Sequence, residues 1–446
     1  MTSTLLRAAV AIVLFVAGLQ PAAARVFDPE TFTLANGLQV VVVTNRRAPI
    51  VTHMVWYRTG AADEEPGRSG IAHFLEHLMF KGTQSIAPGE FSRIVARNGG
   101  QDNAFTTHDY TGYFQNVARD RLDVVMRIEA DRMANLALNE PDVLSERDVI
   151  LEERRQTTDS RPPARLREQI YAALYLNHPY GRPVIGWLHE MRTLTRQDAI
   201  DWYRRWYAPN NAVLVVAGDI SAAELRPLAE RYYGAIPARP VPQRARPQEP
   251  PPQTARRVEL RDERVQQPSF SRVWLAPSYH SALREHAFAL EVLADILGGG
   301  QTARLPRALV EERNLAVNAG AYYDPDAVDQ TSFGISASPR PGVDIAALEA
   351  AIDEEIAKVI SDGVSPDEVA RAIQRMQDGA VFGRDSLQTA ARVFGQVLTT
   401  GGTVDDVEQW PDRIAAVTAE QVNAAARAVL RPEGAVTGLL LPRARR

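Results

Sequence analysis

The sequence predicts an α+β fold of two homologous α/β sandwich domains joined by a Pro-rich linker, and three observations predict it. Strand-like and helical hydrophobic periods alternate along the chain, as layered α+β domains require. The stretch from Pro237 to Thr254, PARPVPQRARPQEPPPQT, carries no apolar period and reads as an extended, semi-rigid connector. The segments on either side of it end in superimposable units. Thr195-Arg196-Gln197-Asp198 opens a helix to Trp206 and Tyr207, Pro209 turns the chain, and Ala212 to Ala217 is β-rich. Thr418-Ala419-Glu420-Gln421, Pro432 and Ala435 to Leu441 repeat that order at one constant offset, which points to duplication of a whole domain.

The elements follow in order. Arg7, the apolar run Ala8 to Leu19 and the small residues Ala22-Ala23-Ala24 read as an export signal over residues 1–24, cleaved before Arg25. That places the mature protein in a periplasm or outside the cell. The run is shorter than the ~20 residues a spanning helix needs, and an uncleaved anchor is the alternative reading. Residues 25–236 then form the first domain. Leu38 to Val43 and Val51 to Tyr57 are strands, as are Asn103 to Thr106 and Tyr110 to Val117. Helical periods cover Gly70 to Lys81, Gly89 to Arg97, Arg121 to Leu136 and Glu140 to Thr158. Thr195 with Asp198, Ser221 with Glu224 and Thr418 with Gln421 have capping-box spacing. Residues 237–254 are the linker and 255–446 the second domain. A chain of 446 residues is too long for one ordinary core, which agrees with this division.

Composition removes some functions. The formal net charge is −5 with both signs interspersed, so there is no electrostatic case for nucleic acid. There are no cysteines, so an exported fold must be held by its core and not by disulfides.

The chemistry lies in His73-Phe74-Leu75-Glu76-His77. Two imidazoles four residues apart share one helix face and can grip one zinc ion. Glu76 flanks that face, where a carboxylate can deprotonate water; H-x-x-E-H is the inverse of the commoner zinc order. Zinc still needs a third protein ligand, most simply a carboxylate from another element.

The stretch Gly70 to Thr83, GIAHFLEHLMFKGT, resembles the signature of the pitrilysin-type (M16) zinc metallopeptidases, in particular the short processing-peptidase-like branch (M16B). Gly99-Gly100 with Asn103 to Thr106, Glu146 to Glu153, His178 to Pro183 and Gly298-Gly299-Gly300 with Arg304-Leu305 agree in order and spacing. The resemblance implies a zinc endopeptidase acting on peptides or unfolded segments, with one zinc per chain. It makes the first domain the zinc-bearing, catalytic one and the second a homologous non-catalytic one. It implies His73, His77 and Glu153 as ligands, Glu76 as general base and Glu146 as the residue orienting the site. Glu152 is the rival ligand, but it points about 100° away from Glu153 on a helix and cannot share the face of Glu146. The resemblance also implies a substrate strand pairing beside Asn103, Ala104 and Phe105. His108 and His178 are read as loop residues without metal.

One departure bears on partners. Active single-chain members carry an arginine and a tyrosine seven residues apart in the second half, and Val310 and Val317 stand at those positions. Valine can neither donate a hydrogen bond nor stabilise an oxyanion. Arg307, Arg313, Tyr322 and Tyr323 are near but out of register. The chain is therefore expected to be the zinc subunit of a heterodimer whose related partner supplies both residues, with a homodimer as the alternative. A non-catalytic scaffold subunit of the same fold is the competing function; it would be marked by lost ligands, and all of them are present.

Overall fold

The computed structural model describes residues 26–443, so the export signal assigned to residues 1–24 lies outside the described residues. The first sheet has six strands in the order β1-β2-β6-β3-β5-β4: β1 (Glu30–Thr33), β2 (Gln39–Thr44), β3 (Ile50–Tyr57), β4 (Gln101–Thr106), β5 (Thr111–Ala118) and β6 (Ala212–Gly218). The second has five in the order β7-β11-β8-β10-β9: β7 (Arg256–Asp262), β8 (Ser269–Ala276), β9 (Ala316–Tyr323), β10 (Thr331–Pro339) and β11 (Ala435–Pro442). Within each sheet one pair is parallel, β2 with β6 and β7 with β11, and the remaining pairs are antiparallel. The second sheet thus repeats the first without its outermost strand.

The α-helices of more than four residues in the first half are α1 (Ile71–Leu78), α2 (Glu90–Arg97), α3 (Leu122–Asn135), α4 (Glu140–Arg154), α5 (Pro162–Leu174), α6 (Arg196–Trp206) and α7 (Ala222–Tyr232). The second half adds α8 (Ala287–Gly298), α9 (Ile345–Ser361), α10 (Pro366–Gly383), α11 (Leu387–Thr400), α12 (Val404–Glu408), α13 (Trp410–Ala415) and α14 (Ala419–Val429). Thr195, Ser221 and Thr418 cap α6, α7 and α14 through reciprocal capping boxes. The helical period expected to run to Thr158 ends as an α-helix at Arg154 and continues as one π turn over Arg155–Asp159. There Thr157 Oγ1 donates to the Glu153 carbonyl at 2.9 Å, and a proline pair follows at Pro162-Pro163.

Strands β2, β3 and β6 are almost wholly buried β-branched and aromatic runs, because both faces of the sheet are covered. Val40, Val42, Val55, Leu214 and Val216 face α1, α3, α6 and α7 of the same half. Val41, Trp56, Val213 and Val215 face Ala391, Phe394 and Val397 of α11, which belongs to the second half. Gly395 lies so close to the Trp56 indole that a side-chain carbon would have no room. The exchange is reciprocal. Leu166, Ile170 and Leu174 of α5 pack on Val273, Val436 and Leu440 of the second sheet, and Gly438 leaves space for Ile170. Residues 237–254 divide the sequence, but each sheet borrows a helix from across that division.

The linker has no regular element and is pinned to both halves. The side chain of Arg246 is 4% exposed and contacts Asp63 at 2.9 Å, Asp109 at 2.5 Å and Asp329 at 3.3 Å. Arg244 donates to the carbonyls of Asp109 at 2.6 Å and Thr399 at 3.0 Å. Among the described residues no helix is long and apolar enough to cross a membrane.

Candidate metal centre

Helix α1 starts after Gly70, whose φ of +90° favours glycine and where a side-chain carbon would collide with the backbone of Ile185 and Gly186. No local side chain caps it. Instead the Glu64 carboxyl accepts from the amides of Gly70 and Ala72, both at 3.0 Å, and so caps the first turn from outside the helix, while burial pushes it up to about 8 against those two bonds. Ile71, Phe74, Leu75 and Leu78 are buried in the first core, which fixes the rotation of the helix and turns His73 and His77 to one side. Their ring centroids are 4.7 Å apart.

Helix α4, capped by Asn139, brings Glu146 and Glu153 to that side from positions two turns apart. Glu153 Oε2 lies 3.6 Å from His73 Nε2 and 3.4 Å from His77 Nε2. His77 Nδ1 pairs with Glu146 Oε1 at 2.8 Å, and Lys81 Nζ reaches Glu146 Oε2 at 2.5 Å. Glu152 turns outward and binds Arg155 at 2.7 Å and Gln156 at 2.6 Å. Among the described residues, His73, His77 and Glu153 are the one trio of potential ligands whose donor atoms all lie within 4.8 Å of one another. Glu153 Oε2 is buried without a hydrogen-bond partner. Two imidazole nitrogens and an unengaged carboxylate oxygen converging on one point are the donor set zinc prefers, so these residues fit the ion.

Glu76 sits beside the trio, mostly buried, and its Oε2 accepts a hydrogen bond from Thr106 Oγ1 at 2.6 Å. Burial pushes its carboxyl up to about 7, partly offset by the Thr106 bond and the His77 charge. Burial and the neighbouring His77 drive His73 down to about 4. Burial also opposes charge on His77, but its hydrogen bond to Glu146 and the nearby Glu153 carboxylate outweigh that and raise it to about 9. Glu153 is held low first by the imidazole of His77 3.4 Å away. For Glu146 burial acts upward, and the bonds from His77 and Lys81 overcome it.

Strand β4, with Thr106 at its end, is one of the two edge strands of the sheet, opposite β1. At the hairpin turn Thr107 N donates to Tyr110 O at 2.9 Å. Antiparallel alternation then assigns the bonds to β5 to Phe105 and Asn103, leaving the main-chain groups of Asp102, Ala104 and Thr106 on the free side. Of the three residues expected to meet substrate, Ala104 is the one whose backbone faces outward. Asn103 Oδ1 accepts from the Ala104 amide at 2.9 Å. The Phe105 ring points to the other face, 4.9 Å from Trp56 and 4.7 Å beneath Arg392 of α11, so it anchors the strand.

The remaining candidates lie elsewhere. His108 Nε2 bonds the Arg182 carbonyl at 2.9 Å, and His178 Nε2 meets Asp329 at 3.1 Å, both in loop packing. Val310 packs against the second core and Val317 is exposed on β9. Arg307 and Arg313 pair with Glu312 at 3.6 Å and Glu354 at 2.6 Å. Tyr323 donates to the Pro277 carbonyl at 2.5 Å, while Tyr322 lies across Gly334. Sequence reasoning missed Glu64, Lys81 and Thr106. Only Lys81 had a local signal, one helical turn beyond His77.

Comparison with known proteins agrees with this architecture. Residues 39–187 match the family model described as insulinase (peptidase family M16), and residues 193–376 match the one described as peptidase M16 inactive domain. A zinc protease PqqE of Helicobacter pylori is 30% identical over 377 residues, 83% of each chain. An uncharacterized zinc protease of Streptomyces coelicolor is 31% identical over 418 residues, 92% of this chain and 89% of that one. The crystal structure of a protease from Helicobacter pylori superimposes with a TM-score of 0.85 at 27% identity, covering 93% of this chain and all of the other. A peptidase M16 inactive domain from Pseudomonas fluorescens shares the fold at 18% identity, with a TM-score of 0.82 over 94% of this chain and 99% of that one. Fold and relatives together define a two-domain α+β chain of the metallopeptidase class. The chain belongs to peptidase family M16.

Proposed function

We propose that the protein is a zinc-dependent endopeptidase that hydrolyses peptides or unfolded polypeptide segments. The observation that carries this reading is the convergence of His73, His77 and Glu153, with the Glu76 carboxylate alongside. His73, His77 and Glu153 would hold one zinc ion per chain, and Glu146 orients His77 through its Nδ1. Bound there, zinc supplies Lewis acidity toward water and a scissile carbonyl.

The chain's own residues do the rest. Thr106 occupies one oxygen of Glu76 and fixes its rotamer, while the other takes the proton of the attacking water. Burial has brought Glu76 close to neutral pH, where a carboxylate can both accept that proton and return it to the leaving amine. The outward backbone of Ala104 and Thr106 pairs with an extended substrate as an added strand, which gives affinity with little demand on sequence.

Val310 and Val317 supply no side-chain donor from the second half. The protein accordingly works as the zinc-bearing subunit of a heterodimer, with a related M16-type partner contributing an arginine and a tyrosine, after export to a periplasm or the exterior. An assay of the purified chain on an unstructured peptide, with and without that partner, tests both claims. Cleavage should require the partner, disappear with a chelator and return with zinc. Full activity of the lone chain would defeat the split site and leave the homodimer; activity that survives complete zinc removal would defeat the metal reading.

A further inference from the structure

A cavity of about 820 Å³ opens in the second half and shares no lining residue with the centre described above. Its walls come from α8, α10, α11, α12 and α13, and Phe27 of the N-terminal segment closes one side. Phe27 is held there by its amide bond to Glu408 at 3.0 Å and by an edge-on contact with Phe394 at 5.6 Å. Phe288, Val393, Val397, Val407 and Trp410 make the lining predominantly apolar. A preformed, mostly apolar space of this size with a few converging polar groups is what small organic ligands occupy.

The polar groups are unevenly charged. Glu291 lines the cavity with its carboxylate held by two neutral donors, the Tyr279 hydroxyl and Trp410 Nε1 at 3.1 Å. Asp326 lines it as well, and among the described residues neither acid has a basic side chain within ion-pair distance. The basic lining groups are Arg284, Arg413 and His280; Arg413 is engaged by Asp406 at 2.7 Å, and burial disfavours charge on His280. Burial and the charges of Asp326 and Asp324 push Glu291 up to about 8, against the pull of its two donors. Burial and Asp324 push Asp326 up to about 7. Both carboxyls therefore lack a compensating cation, in a space walled by aromatic and aliphatic groups.

We propose that this cavity binds an amphipathic amine, a molecule whose alkyl or aryl body fills the apolar walls and whose protonated nitrogen pairs with Glu291 and Asp326. The site is independent of the zinc reading and needs no metal.

Three probes of one shape separate charge from size: 4-phenylbutylamine, 4-phenylbutanol and 4-phenylbutyrate, titrated calorimetrically into the purified full chain. The amine should bind with one site per chain at least about tenfold tighter than the alcohol, with the carboxylate weakest. Asp326→Asn should remove most of that preference while keeping alcohol binding. Val393→Phe, which fills the cavity, should weaken all three. The proposal is overturned by equal affinity for the three probes or by no binding of the amine at millimolar concentration. An amine preference unchanged in Asp326→Asn overturns it too. Thermal melts of the variants identify misfolding, and the wild-type comparison of the three probes decides the matter even if one variant fails to fold.

Discussion

The two halves of the molecule repeat one topology and differ at one junction. In the first half, the helix that follows β3 and the helix that precedes the exchanged α5 face each other with His73, His77, Glu146 and Glu153. In the second half the topological counterparts are α8 and α10, and there Arg375 pairs with Asp295 at 3.1 Å. The edge strands differ in the same sense. Between α1 and β4 stand two side chains, Glu76 and Thr106. Between α8 and β9 there is no room for one, because Gly298 lies directly on the backbone of Gly320 and Ala321. A self-neutralised ion pair and a glycine seam stand in the second half where two imidazoles and a carboxylate oxygen without a hydrogen-bond partner converge in the first. The comparison teaches that the shared fold supplies the scaffold, while a few side chains at one helix–strand junction decide whether a site exists.

The predictions that could break this comparison run from large effects to small. Replacing His77 or Glu153 by Ala should abolish zinc retention after dialysis, because two remaining donors do not close a coordination shell. Elemental analysis of the purified variants reads the outcome, and one equivalent of zinc retained in Glu153→Ala would remove that residue from the shell. Phe394→Ala, which empties the exchanged helix at its contact with the first sheet, should cost about 3–5 kcal/mol of stability and lower one shared melting transition. Two separate transitions would show that the halves fold apart. Glu146→Gln keeps the shape of the orienting group but loses its charge, and should weaken zinc binding by about 10–100-fold in chelator competition. Asp295→Asn, at the counterpart junction, leaves an exposed arginine without its partner and should change stability by no more than about 1 kcal/mol and zinc content not at all. A loss of zinc in that variant would mean the second junction is not silent.

Local signals carried much of this structure in the sequence. The three capping boxes are local, and α6, α7 and α14 start where Thr195, Ser221 and Thr418 put them. H-x-x-E-H is also local, whereas Glu153 and Glu146 come from the family resemblance, and helical register then separates Glu153 from Glu152. The exchange of α5 and α11 was not legible. The apolar stripe Leu166, Ile170 and Leu174 says that one face is buried, not which half buries it. Thr106 and Glu64 act across thirty and six to eight residues of chain, where no periodicity connects them to Glu76 or to α1. Asn103, Ala104 and Phe105 read as one substrate-facing stretch, yet strand alternation turns the backbone of Ala104 outward and those of Asn103 and Phe105 toward β5, and that depends on the β4–β5 register.

The account's central claim is that the trio holds the metal while Glu76 moves the proton, and Glu76→Gln separates the two jobs with a change of one atom. Zinc content and peptide cleavage should be measured on the same preparation, together with whatever partner wild-type activity requires. The account predicts one zinc per chain and a turnover lowered by at least about 10²–10⁴-fold. A variant that keeps its zinc and cleaves at the wild-type rate would contradict it.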